Sequence, residues 1–254
     1  MIMDVIIDKL RKIEADEDIT ILYAAEAGSR AVGYCSESSD YDIRFIYKHN
    51  DITHYMTINK QRDVIESNDG LYDIVGWDIR KTLQLHYKSN PNLREWINSS
   101  IKYIPMDGDI FNNLPDFDMQ VLKRHYYSIT KGLFRKYVNR NDEVSNDFYK
   151  KMLYTVKCIL AWMLLDEDRL PPVRLDDLIY ENRMDEGFSY KIDKLKKALI
   201  SGNVDLISDN EVFFLIEWIS FYIDYMPEYL DEIRYDRDID LYNRRFQEII
   251  MDNY

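Results

Sequence analysis

Residues 26–47 read EAGSRAVGYCSESSDYDIRFIY. An apolar strand ends at a Gly28-Ser29 turn, a short helix follows, and a second strand opens with Asp40 and Asp42. Side chains two residues apart in a strand point to the same face, so we expect Asp40 and Asp42 to project together beside the turn. Two parallel carboxylates next to backbone N–H groups suit a Mg²⁺ ion that carries a polyphosphate.

The pattern around this stretch predicts an α+β fold, with an N-terminal mixed β-sheet and an all-helical C-terminal region. Apolar spacing predicts a first helix over residues 3–15. Strands are expected at 19–25, 42–47, 54–58, 63–66 and 71–79, and helices at 80–88, 93–97, 121–139, 146–166, 175–183, 190–200, 209–225 and 239–251. We therefore expect a catalytic domain over residues 1–115 and a helical domain over 116–254.

Nucleotidyl transfer from a triphosphate is commonly assisted by two divalent ions held by carboxylates. Asp40 and Asp42 supply two carboxylates, and the third is expected on a neighbouring strand. Asp78 and Asp73 are the candidates, both within residues 71–79. Asp78 is preferred because it ends the strand just before a helix, whereas Asp73 lies five residues earlier, on the opposite face.

Several other residues are candidates for holding the nucleotide. Gly28 lets the backbone approach the phosphates, and Ser29 can donate its hydroxyl and N–H groups. Arg30 is expected to contact phosphate, while Ser39 either does so or only shapes the turn. Arg44 either holds a carboxylate or phosphate near the metal or forms a structural salt bridge. A basic helix face that either covers the triphosphate or is only a solvated surface consists of Lys150, Tyr154 and Lys157.

Composition narrows the class of protein. The 254 residues carry a formal net charge of −13, which argues against extended DNA binding but allows a short nucleic-acid end to be held. The two cysteines, Cys35 and Cys158, lack metal-ligand spacing and are expected to be reduced, as in a cytoplasmic protein. No apolar run approaches the roughly 18 residues of a membrane span, and Met1–Asp4 shows no signal-peptide start. We expect no membrane partner.

The Gly-Ser turn followed by Asp-x-Asp resembles the DNA polymerase β-like nucleotidyltransferases. A narrower likeness is to the predicted nucleotidyltransferases of the RNA-ligase-associated, RNA-repair type. The stretches that carry it are Gly28–Gly33, Ser39–Tyr47, Gly76–Lys81, Asn90-Pro91, Glu95-Trp96, Lys150–Lys157 and Pro171–Val173. The resemblance implies this fold and metal binding by Asp40, Asp42 and Asp78. Val32 stands where an aromatic residue is common, and Lys157 where an arginine is frequent.

These observations favour an enzyme that moves a nucleoside monophosphate from a nucleoside triphosphate to an acceptor hydroxyl and releases pyrophosphate. Mg²⁺, or alternatively Mn²⁺, is the expected cofactor. The acceptor is an RNA end, a small molecule or a protein side chain, and only the family likeness favours RNA. The alternatives are a non-catalytic nucleotide-binding or regulatory module and an antitoxin-type protein that modifies a partner.

Overall fold

The structure is a computed structural model, and it describes residues 2–59, 61–106, 108–138, 145–230 and 237–251. The predicted helix over 121–139 therefore ends, at Asn139, outside the described residues. None of the helices in these ranges is long and apolar enough to cross a lipid bilayer.

The N-terminal half contains a five-stranded mixed sheet in the order β3-β4-β2-β1-β5. β1 pairs antiparallel with both β2 and β5, β3 pairs antiparallel with β4, and β2 and β4 run parallel. The strands are β1 (Ile19–Glu26), β2 (Tyr41–His49), β3 (Val64–Asn68), β4 (Tyr72–Asp78) and β5 (Lys102–Ile104). The predicted mixed sheet is confirmed.

Helices surround or interrupt these strands as the sequence pattern indicates. They are α1 (Ile2–Glu17), α2 (Gly28–Val32), α3 (Ile79–Tyr87) and α4 (Pro91–Ile97). Ile6 and Leu10 of α1 are fully buried in the core that the sheet residues Ile43, Phe45 and Tyr47 help to form. α1 therefore packs on the face of the sheet that carries these three side chains.

The strand predicted over His54–Ile58 is wrong, because a 3₁₀-helix occupies Ile52–Met56 instead. Asp51 precedes it and caps it, since the Asp51 carboxylate accepts from both the backbone N–H and the hydroxyl of Thr53. Local hydrogen bonds of this kind compete with strand formation. The alternating side chains of this segment are therefore a misleading strand signal.

The C-terminal half is helical, as predicted. Its elements are α5 (Met119–Leu133), a π-helical turn (Phe134–Val138), α6 (Asn146–Asp166), α7 (Leu175–Glu181), α8 (Glu186–Ser201), a 3₁₀-helix (Val204–Leu206), α9 (Asp209–Tyr225), a second 3₁₀-helix (Met226–Tyr229) and α10 (Ile239–Ile250). The long α6 supplies most of the local core, with Trp162 only 1% exposed.

The chain divides into two compact units. The first consists of Met1–Ala31, Ser39–Phe117 and Tyr235–Tyr254, and the second of Val32–Ser38 and Asp118–Arg234. The sequence-based boundary at 115/116 lies beside this division, but α10 belongs to the first unit rather than to the helical one. Arg245 fixes α10 there, because its guanidinium donates to the backbone oxygens of Asp109 and Ile110.

Candidate active site

The Gly28 turn follows β1 and contacts the start of β2 directly. Gly28 has φ +57°, and a Cβ atom built on it would lie 1.8 Å from Oδ2 of Asp42. The neighbouring Ala27 N–H donates to the Asp42 carbonyl oxygen over 2.7 Å. Since only glycine leaves room for such a contact at a positive φ, the turn and the Asp42 carboxylate form one local structure.

Arg30 holds the loop that leads into β2. Its Nε donates to the backbone oxygen of Asp40 at 3.0 Å, and its Nη2 donates to that of Ser39 at 2.6 Å. The guanidinium also lies 3.8 Å from the centroid of the Tyr41 ring. Arg30 therefore stabilises the loop before β2, a role that the sequence did not predict, and its contact with phosphate stays a prediction. Ser29, which follows the glycine, is only 6% exposed.

The parallel register of β2 and β4 decides which carboxylates meet. Asp42 lies opposite Asp73, whereas Asp78 lies opposite Tyr47, five residues further along the pair. At the rise of a strand this is about 16 Å, and the odd spacing turns Asp78 to the other face of the sheet. The convergence of Asp78 with Asp40 and Asp42 expected from the sequence is thus corrected: Asp73 lies beside Asp42.

Arg44 links these two carboxylates. Its Nη2 lies 2.9 Å from Oδ1 of Asp42 and 2.7 Å from Oδ2 of Asp73, and its Nη1 donates to the Asp73 backbone oxygen over 2.8 Å. Arg44 therefore forms a salt bridge with both carboxylates, a contact that is common to the two roles considered for it. One guanidinium bound to both groups shows that their negative charges face the same point.

Asp78 has a different local role. Its Oδ1 accepts from the Arg80 backbone N–H at 2.8 Å and caps α3, while its Oδ2 accepts from the Tyr55 hydroxyl at 2.8 Å. Asp78 is only 3% exposed, and this burial raises the pKa of its carboxyl group. Both carboxylate oxygens of Asp78 therefore make structural contacts, one with the first turn of α3 and one with Tyr55.

Glu26 is a site residue that sequence reasoning missed. It ends β1 with no exposed surface, and burial raises the pKa of its carboxyl group. Its Oε1 accepts from the Asp42 backbone N–H at 2.8 Å, and its Oε2 accepts from the Tyr103 hydroxyl. A glutamate at the end of an apolar strand was the available signal. Its contacts fix the backbone of Asp42 from the side of β1.

The predicted basic face on α6 is uneven. Lys150 is exposed, Tyr154 is half-buried, and Lys157 is buried with its Nζ 5.3 Å from the Tyr154 ring centroid. The three residues do not form a uniform solvated face, and their nucleotide contact stays a prediction.

The donors beside the Gly28 turn suit Mg²⁺, which prefers carboxylate oxygens and is commonly held by one or two carboxylates together with substrate phosphates. Asp42 and Asp73 already share a cation in Arg44. Asp40 stands directly before β2, two residues from Asp42. In the described part of the chain, no three His, Cys, Asp or Glu side chains form a ready-made metal cluster. The pair therefore fits a metal that also binds the triphosphate.

Comparison with known proteins identifies the family of this chain. Residues 2–246 match the RNA repair pathway DNA polymerase beta family. The chain belongs to this family. A family of that kind supports a nucleotidyltransferase activity in general, and it implies a nucleotide substrate.

Two individual proteins are similar to this family member. Over 182 residues the chain is 37% identical to the uncharacterized protein YcgL of Bacillus subtilis (strain 168), covering 69% of this chain and 68% of YcgL. A nucleotidyltransferase-like protein from Exiguobacterium sibiricum 255-15 matches with a TM-score of 0.37 and 12% identity, over 97% of this chain and 88% of that one. Since that TM-score is too low to establish a common fold, the family assignment depends on the sequence match.

Proposed function

We propose that this protein transfers a nucleoside monophosphate from a nucleoside triphosphate to an acceptor hydroxyl, with release of pyrophosphate. The observation that carries the proposal is the contact of the Asp42 carboxylate with the Gly28 turn. This contact places the Asp42 carboxylate, which can bind a divalent cation, next to the Gly28 backbone, which can approach a polyphosphate closely. Family membership supports the same reaction class.

Within this proposal, Asp42 and Asp73 are the principal metal ligands and Asp40 is the third. Mg²⁺ or Mn²⁺ would neutralise charge on the triphosphate and on the attacking and leaving oxygens. Asp73 replaces Asp78 in this set because of the register of β2 and β4. Arg44 and Glu26 position the carboxylates from either side, one through the side chains and one through the Asp42 backbone.

The Gly28-Ser29 turn would bind the β- and γ-phosphates, which leave together as pyrophosphate. The chain's own contribution is to bring the α-phosphate and the acceptor into line, since positioning supplies a large part of the rate in such reactions. A carboxylate of the site would accept the proton of the attacking hydroxyl. We propose an RNA end as the acceptor, because the family description names an RNA repair pathway.

The test is label transfer from each α-³²P nucleoside triphosphate, with Mg²⁺ or Mn²⁺, to total RNA and to a cell lysate. Label in RNA is expected for the wild type and is expected to vanish in the Asp40→Ala/Asp42→Ala variant. The control is Asp8→Ala/Asp16→Ala, which makes the same change of charge on the exposed side of α1. Activity that survives the site variant would contradict the metal ligands. Label in a protein band would instead support a partner-modifying enzyme.

A further inference from the structure

A cavity in the first unit lies between α3 and α10, and its lining includes neither Asp42 nor Asp73. Its volume is about 520 Å³, within the range of small-molecule sites. Since α3 begins directly after Asp78, the cavity lies toward the end of β4 opposite to Asp73. A strand rise over these five residues corresponds to about 16 Å, and none of the residues that line the cavity is one of the carboxylates proposed to hold the metal.

Aromatic rings form much of its wall. Tyr87 from α3 and Tyr242 and Phe246 from α10 line the cavity. The Tyr87 and Tyr242 rings meet edge to face, with their centroids 5.2 Å apart and an interplanar angle of 84°. Aromatic side chains stack on any nucleobase, because every base has a π-face. This wall therefore suits a planar aromatic group.

The charge of the cavity contrasts with that of the chain. Arg80 and Lys88 line it, none of the lining residues that the structure describes is Asp or Glu, and the whole chain carries −13. The Arg80 guanidinium is fixed by a 2.8 Å bond from its Nη2 to the Tyr55 backbone oxygen and lies 5.3 Å from the Phe246 ring centroid. Two cations beside an aromatic wall favour an anionic ligand.

The wall is held in place before any ligand binds. Tyr242 is only 3% exposed, and its hydroxyl accepts from Nη1 of Arg237 at 2.9 Å. The same hydroxyl lies 3.0 Å from Nδ1 of His86. Burial lowers the pKa of His86 to about 3, so its ring is neutral at pH 7 and its Nδ1 can accept a hydrogen bond from the Tyr242 hydroxyl. A preorganised wall reduces the ordering cost of binding.

We propose that this cavity binds a nucleotide unit, with the base against Tyr87 and Phe246 and the phosphate against Lys88. Arg80, at the other end of α3, adds positive charge to the cavity, and the buried Tyr242 supports the ring of Tyr87. The unit is either a free mononucleotide or one residue of a single-stranded RNA, since both present the same chemistry. The proposal goes beyond the transfer reaction by adding a second binding site, and it can be tested without that reaction because none of these residues belongs to the Asp42 site.

The test uses the full-length protein in EDTA, so that no divalent ion supports nucleotide binding at Asp42 and Asp73. The probes are AMP and UMP by calorimetry, inorganic phosphate by calorimetry, and a fluorescently labelled 12-nucleotide single-stranded RNA by anisotropy. Lys88→Glu reverses an exposed charge at the cavity, and Asn243→Phe fills the cavity from an exposed lining position. The controls are Lys12→Glu, an exposed lysine on α1, and Asp42→Asn.

Both cavity variants are expected to weaken binding at least about tenfold, the size of effect that one stacked base or one charged contact supplies. The two controls should bind as the wild type does, and Asp42→Asn separates this site from the transfer site. Binding of AMP or UMP identifies the free nucleotide as the ligand, and binding of RNA alone identifies the strand. Equal binding of phosphate and nucleotides, or binding that neither cavity variant alters, would overturn the proposal.

Discussion

Replacing Gly28 with alanine tests the contact on which the proposed active site depends. The added Cβ would lie 1.8 Å from Oδ2 and 2.6 Å from Cγ of Asp42. Reaching an ordinary contact of 3.4 Å requires the carboxylate oxygen to move by 1.6 Å. Because both oxygens belong to one rigid carboxylate, such a shift also displaces Oδ1 and disturbs its 2.9 Å contact with Nη2 of Arg44.

The expected magnitude has two parts. An alanine at φ +57° carries backbone strain of about 1–3 kcal/mol. Loss of the charged hydrogen bond between Asp42 and Arg44 adds about 1–3 kcal/mol. A misplacement of 1 Å in a catalytic group can cost about 100-fold in rate, so transfer should fall at least that far.

Gly70→Ala is the matched control. Gly70 also has a positive φ, +90°, but an added Cβ would meet nothing within 4 Å. It should lose stability through backbone strain alone and keep its transfer rate. Urea unfolding gives the two free energies of unfolding, and label transfer gives the two rates. Wild-type transfer in Gly28→Ala, or an equal loss of transfer in Gly70→Ala, would refute the reasoning.

Three further predictions concern single contacts. Arg44→Met should lower the free energy of unfolding by about 1–3 kcal/mol in EDTA, and Mg²⁺ should restore part of it by neutralising Asp42 and Asp73; no restoration would contradict their role as ligands. Asp78→Ala should lower the unfolding free energy by about 1–2 kcal/mol through loss of the α3 cap, measured by urea unfolding, while transfer is retained; loss of transfer at full stability would return Asp78 to the metal site. His86→Gln should flatten the pH dependence of stability. Burial lowers the pKa of His86 from 6.5 to about 3. Between these two pH values the unfolded chain therefore binds a proton at His86 that the folded chain does not bind. The free energy of unfolding of the wild type should therefore fall as the pH drops below 6.5, and His86 contributes at most about 1.4 kcal/mol per pH unit to this fall. The measurement is urea unfolding of wild type and variant at pH 4–7. Equal pH dependence in the two proteins would contradict the prediction.

Much of the fold could be predicted from the sequence, because the strong signals are local. The Gly28 turn, the β2 strand and the long helices follow from glycine, alternation and helical spacing. The 52–56 segment could not be read correctly, since the cap from Asp51 decides its 3₁₀ conformation and competes with its strand-like spacing. The three-residue β5 is too short to leave a pattern.

The third carboxylate of the proposed metal site could not be identified from the sequence. The position of Asp78 before a helix is typical of an active-site residue, and its sequence context gave no reason to prefer Asp73. Only the parallel register of β2 and β4 places Asp73 opposite Asp42. Register between strands thirty residues apart depends on tertiary packing, so periodicity within one strand cannot determine it. Glu26 was missed for the same reason, because its partners are Asp42 and Tyr103.

Binding of Mn²⁺ to the apo-protein, followed by electron paramagnetic resonance in the presence of a non-hydrolysable nucleoside triphosphate, tests the metal assignment most directly. The variants are Asp73→Asn and Asp78→Asn, which remove the same charge at opposite ends of β4. Asparagine also caps helices well, so Asp78→Asn should preserve α3. We expect Asp73→Asn to weaken Mn²⁺ binding at least about tenfold and Asp78→Asn to leave it unchanged. Loss of binding in Asp78→Asn with full binding in Asp73→Asn would contradict the site described above.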